Sequence, residues 1–123
     1  MNSLPTNAAI SIVARSPGLD VEAVEVVVTI PTFRRPQQVL ETIASVKAQK
    51  TSRRFAIIVM ENDAERREGA TALAPRFERG EIEGILIIAH ERGNCCAYNA
   101  GWETALQQFP SFKYLLVIDD DEL

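Results

Sequence analysis

Apolar residues gather in four short, nearly continuous runs: VEVVVTI (24–30), FAIIVM (55–60), ILIIA (85–89) and YLLVI (114–118). Each is rich in β-branched residues and lacks the strict alternation of a strand with one wet face. Each therefore reads as a strand covered on both sides, as in a parallel sheet. Between the runs the apolar spacing becomes helical. Val39, Leu40, Ile43 and Val46 form one stripe, Ala70, Leu73, Ala74 and Phe77 a second, and Trp102, Ala105, Leu106 and Phe109 a third. All three stripes, Trp102 included, are expected in the core. The breakers agree with this division. Pro36 suits the first turn of the first helix, Gly80 and Gly84 bound the second, and Pro110 ends the third. Pro75 predicts a break or kink inside the second helix, and Asn94 is the expected N-cap of the third.

The order βαβαβαβ implies parallel strands joined by right-handed crossovers. The predicted fold is α/β and Rossmann-like, a mostly parallel sheet with helices on both faces. Counting these four strands along the chain, the expected sheet order is 3-2-1-4, with its switch point between the first strand and the fourth. Residues 24–123 make up this unit. Residues 1–23 read as a turn-rich N-terminal extension whose one apolar stretch, Ala8–Val13, is either an added edge strand or a loose segment.

Composition narrows the classes without choosing among them. At 123 residues, 46% hydrophobic and 24% charged, the chain is long enough for one domain with a real core. The net charge of −4 and the absence of a basic stripe argue against nucleic acid as a partner. No run approaches the ~18 apolar residues of a membrane span, and no signal peptide is visible. The two cysteines, Cys95 and Cys96, are adjacent, which suits neither a disulfide nor a zinc site and points to the cytoplasm.

In open parallel sheets ligands bind beyond the carboxyl ends of the strands, and all four exits here are polar. They are Pro31-Thr32-Phe33-Arg34-Arg35-Pro36, Glu61-Asn62-Asp63, His90-Glu91-Arg92-Gly93-Asn94 and Asp119-Asp120-Asp121-Glu122. Carboxylates crowded at a strand end repel one another unless a cation neutralises them. If the strand persists, Asp119 and Asp121 share one side and are the candidate ligands of a hard divalent ion. Glu61 and Asn62 could fix a base and a ribose, or could form an ordinary Asx turn. Arg92 and the helix start that follows could hold a phosphate. His90 reads as a structural loop residue.

Taken in order, these segments resemble the GT-A glycosyltransferases of the family 2 type. VVVTIPTFRRP resembles the opening strand and its Pro-Thr-Tyr-Asn-Arg-like turn, which places Pro31, Thr32, Phe33 and Arg34 among the nucleotide-binding residues. IIVMENDA resembles the second strand and its acidic turn, so Glu61 and Asn62 take the base- and ribose-contacting places. ERGNCCAYNAGWETA resembles the Gly-x-x-x-Ala-Arg-Asn-x-Gly helix, which adds Asn99; Tyr98 stands where the family has arginine, and Arg92 could compensate. LLVIDDDE resembles the strand ending in the DxD signature. By that resemblance Asp119 and Asp120 lie near ribose and diphosphate, and Asp121 holds Mn²⁺ or Mg²⁺.

The resemblance implies an inverting, metal-dependent transfer of a sugar from a nucleotide-diphosphate sugar to an acceptor hydroxyl, with the acceptor unidentified. It also implies that the chain stops just past its metal-binding aspartates, so that the acceptor site and the catalytic base would lie beyond Leu123. In that case the full protein works in the cytoplasm or at the cytoplasmic face of the membrane. The alternative from another class is a non-catalytic module that binds a nucleotide or a partner. The edge of the strand at 114–118 is expected to be bare. It would be covered by a second chain in a homodimer, in preference to capping by Ala8–Val13.

Overall fold

The computed structural model describes residues 10–49 and 53–119. Five strands and three helices follow one another as β1 (Ile10–Arg15), β2 (Val26–Thr32), α1 (Pro36–Lys47), β3 (Phe55–Glu61), α2 (Glu68–Glu78), β4 (Gly84–Ala89), α3 (Asn94–Gln108) and β5 (Tyr114–Val117). The four β-branched runs become β2 to β5, and these pair in parallel. No helix of the described residues is long and apolar enough to cross a membrane.

The sheet order is β1-β4-β3-β2-β5, in which the four parallel strands keep the expected 3-2-1-4 order but are not the whole sheet. The difference is the fifth strand: β1 joins the β4 edge and runs antiparallel to it, Ile10 opposite Ala89 and Arg15 opposite Ile85. Part of the expected N-terminal extension is therefore built into the sheet. The part of Ala8–Val13 that is described lies at the opposite edge from β5 and does not cap it. β1 holds its place through its backbone and few side chains. Ala14 is buried, while Ile12 and Val13 are exposed beside an irregularity in the register. Ser16 closes the edge, its N–H donating to Gly84 O while Gly84 N–H donates to the Ser16 hydroxyl.

Strand alternation divides the core in two. On one face Val28, Ile30, Ile57 and Val59 pack against Val39, Ile43, Ala70, Leu73 and Phe77 of α1 and α2. On the other Val27, Ala56, Ile58, Met60 and Ile87 pack against Ala97, Ala100, Ala105 and Phe109 on and just after α3. The step from β4 across to β5 carries α3 to the second face. The switch point thus falls between β2 and β5.

Two details depart from the helical patterns. Pro75 sits within α2, which runs through it to Glu78. On α3, Ala105 and Phe109 are buried as expected, but Trp102 and Leu106 are exposed at 53% and 57%. The face that meets the sheet is made of small residues: Ala97, Ala100, Gly101, Thr104 and Ala105. A Cβ on Gly101 would lie 2.7 Å from Met60 Sδ. A helix seated this close leaves no room beneath it for an indole, so the bulky residues turn outward.

Candidate functional site

β2 and β3 each run further than their apolar cores. β2 ends at Thr32, so Pro31 and Thr32 belong to the strand and pair with Met60 and Glu61 of β3. Alternation then decides the fate of the next exit. Glu61 points with Val59 toward α2, and Asn62 turns to the α3 side. Glu61 is fully buried, its Oε1 accepting the N–H of Ala70 at 2.8 Å and its Oε2 that of Asp63 at 3.1 Å. In the fold this carboxylate serves backbone donors, where the sequence placed it at a base or ribose. Burial pushes its pKa up, and the N–H donors of Ala70 and Asp63 only partly offset that.

Beyond the strand ends, a cleft of about 420 Å³ is lined by Pro31, Thr32, Phe33, Arg35, Asn62, Arg92, Gly93, Asn94, Ala97 and Asp119. The exits of β2, β3, β4 and β5 all contribute, and the cleft lies at the switch point. Of the expected site residues, Pro31, Thr32, Phe33, Asn62, Arg92 and Asp119 meet there. Asp120 and Asp121 lie outside the described residues. So does Leu123, the residue beyond which the catalytic base is expected, and among the described residues lining the cleft none is assigned as that base. Asn99 lines a separate cavity of about 90 Å³ with Glu91, Cys96 and Glu103, because two residues along a helix turn it roughly 200° from Ala97's side. Arg34 too stands outside the lining of the cleft. Its backbone is left-handed at φ 58, which turns its Nε onto Asp63 Oδ2 at 2.8 Å and its guanidinium over Phe33 at 4.7 Å.

Asp63 is the residue that the sequence reading did not single out. Its side chain has no solvent exposure, and its Oδ1 accepts the N–H groups of Glu65 and Arg66. Arg34 and Arg92 flank it, Arg92 at 3.8 Å. Arg92 also lies 5.3 Å from the Phe33 ring, so Phe33 and Arg92 meet on the cleft's lining while Arg34 stacks on the same ring outside it. The hydrogen bond from Arg34 holds the Asp63 carboxyl below the usual range, and the N–H groups of Arg66 and Glu65 add to this against its desolvation. The only local sign of this was an acidic residue after Asn62 with arginines at two other exits, a pairing that exists only once the exits converge.

Thr32 is buried, yet its hydroxyl has no hydrogen-bond partner. Buried hydroxyls are rarely left so; this one shares the α2 face with Glu61, its Oγ1 3.5 Å from where a Cβ on Gly69 would stand. On the far side Tyr98 of α3 donates its phenol to Asp119 Oδ2 at 3.2 Å. His90 faces away, 2.7 Å from the Ser11 hydroxyl of β1. α3 begins beside the cleft at Gly93 with no side-chain cap, a terminus where N–H groups and the helix dipole favour an anion.

Residues 27–123, most of the chain, match the model of the glycosyl transferase family 2. The chain belongs to that family. No curated protein and no solved structure matches it. The cleft of this family 2 domain is thus the place to look for a sugar nucleotide, and the match covers every strand exit that builds it. The Tyr98 contact gives a first test within the family 2 frame. Tyr98→Phe keeps the ring and removes the donor, so any cation- or phosphate-linked affinity that depends on the placing of Asp119 should fall about 2- to 10-fold. Thermal stability should barely change, because the ring still packs. Calorimetry beside a melting curve separates the two, and equal affinities would show that Tyr98 does not hold Asp119 in solution.

Proposed function

We propose that this domain binds the donor in an inverting glycosyl transfer, from a nucleotide-diphosphate sugar to an acceptor hydroxyl. One observation carries the reading: in a family 2 domain, Arg92, the uncapped start of α3 and Asp119 converge on the switch-point cleft. The residues assigned are Pro31, Thr32, Phe33, Asn62, Arg92 and Asp119, with Gly93 and Asn94 at the helix start. Arg92 and the α3 terminus meet the diphosphate. Phe33, partly exposed at the rim, offers an apolar face to the nucleoside.

A divalent cation, Mn²⁺ or Mg²⁺, fits the hard oxygen chemistry of Asp119, the one carboxylate among the residues described as lining the cleft. Asp119 with Asp121 would hold it, and Asp120 would lie beside the ribose and diphosphate. Once bound, such an ion stabilises charge on a leaving diphosphate. The chain's own part is to orient the donor: Tyr98 positions the first aspartate, and the Asp63 network fixes Arg92 beside the phosphates.

The test is calorimetric titration with nucleoside diphosphates, with and without Mn²⁺. Weak, Mn²⁺-dependent binding is expected, and Asp119→Asn should lower the affinity about tenfold or more, equivalent to ~1.4 kcal/mol. No binding of any nucleoside diphosphate would overturn the donor-site reading. Equal affinity with and without Mn²⁺ would overturn the cation alone.

A further inference from the structure

Asn62 stands at the exit of β3, almost wholly buried at 6% exposure. Its Nδ2 donates to Ala89 O at 3.1 Å and to Glu91 O at 2.8 Å, and its Oδ1 accepts the Gly93 N–H at 2.9 Å. These three partners span the whole turn from the end of β4 to the start of α3. Two carbonyls call for donors and one N–H calls for an acceptor. Only a carboxamide supplies both from one planar group, and the pattern fixes which end is nitrogen.

The turn so held is the stretch that brings Arg92, Gly93 and Asn94 to the cleft. An aspartate at position 62 would still accept from Gly93 but would set a carboxylate against two carbonyl oxygens, with no proton to share. An alanine would leave all three groups without their partner. Both amide protons are consumed inside the protein, so the side chain has no donor left for a base edge. The oxygen keeps one lone pair, too little to tell one base from another.

We infer that Asn62 is a positioning residue for the phosphate end of the cleft and does not read the base. It acts through the turn, holding Arg92 and the first residues of α3 where a diphosphate would lie. Base preference then rests on other groups around the cleft. The inference depends on the nucleotide-diphosphate reading of the site.

A probe without a base separates the two roles. Inorganic pyrophosphate, uridine diphosphate and guanosine diphosphate, each with Mn²⁺, are titrated into the unmodified chain and into Asn62→Asp. A positioning role lowers all three affinities by a common factor of about ten or more and leaves the ratio between the bases unchanged. Unaltered pyrophosphate affinity with weakened nucleotide binding would make Asn62 a base reader and overturn the inference alone. An unmodified chain that binds none of the probes overturns the nucleotide reading and the inference together. Amide exchange at Gly93 in the unmodified chain covers the case in which the variant does not fold. Gly93 is exposed, so slow exchange there reports the bond to Asn62, whereas exchange as fast as a free loop amide would refute it.

Discussion

Gly84→Ala is expected to destabilise the fold by about 3–5 kcal/mol, seen as a fall of roughly 10–20 °C in melting temperature. Gly84 opens β4 at φ 153, and a Cβ built there would lie 1.8 Å from Ile57 O and 2.8 Å from Ile57 N. These are backbone atoms of the neighbouring parallel strand, paired with Gly84 in register, and they cannot swing aside as a side chain would. Relief requires β4 to part from β3. The movement would also disturb the exchange of hydrogen bonds with Ser16 that seals β1 to the sheet. Gly18 is the control: it too has a positive φ, of 70, but a Cβ there meets nothing within 4 Å. Gly18→Ala should cost only the backbone strain, about 1 kcal/mol. Thermal unfolding followed by circular dichroism compares the pair, and melting temperatures within a few degrees of each other would refute the steric account.

The second large effect belongs to Glu61. Glu61→Leu fills the same buried space but removes the acceptors of the Ala70 and Asp63 N–H groups. Two buried donors left without partners cost about 1–3 kcal/mol each, so a loss of roughly 2–5 kcal/mol is expected after the gain from an apolar side chain. Ala70 lies in the first turn of α2, whose N-cap residue Arg67 makes no side-chain capping bond. Glu61 is in effect the cap of that helix, supplied across the fold instead of along the chain. α2 can come this close because position 69 is glycine, where a Cβ would lie 3.2 Å from Glu61 Oε1.

Protonation gives Glu61 a pH signature of its own. Its folded pKa is raised, chiefly by burial. Its contribution to stability is therefore full below the ordinary glutamate pKa and declines as pH rises through the folded value. Asp63, two residues on, is lowered by Arg34, so its contribution is present above the ordinary aspartate pKa and is lost as pH falls through the folded value. Denaturant titrations across the acid range should show Glu61→Leu removing the decline toward neutral pH while leaving the acid loss in place. A variant whose pH profile parallels that of the unmodified chain would show that folding does not raise the Glu61 pKa.

Much of the architecture is local and was legible from residue order. Continuous β-branched runs, helical stripes and their proline and glycine breakers depend on neighbours within a few residues, and they located β2 to β5 and the three helices. The polar exits were legible for the same reason, since parallel strands must all end at one edge of the sheet. What the tertiary structure decided concerns partners far apart in the chain. β1 is held by backbone pairing to β4, which leaves little trace in side-chain pattern. Trp102 and Leu106 fit a helical stripe as well as any core residue, but the close seat of α3 on Met60 selected the small face instead. One extra residue of strand turned Glu61 away from the cleft and beneath α2. Asn62 lies 27, 29 and 31 residues from its three partners, and no reading along the chain brings them together. Burial and hydrogen-bond satisfaction are properties of the assembled sheet, which is why the residues of the strand exits could be named from their order while their individual contacts could not.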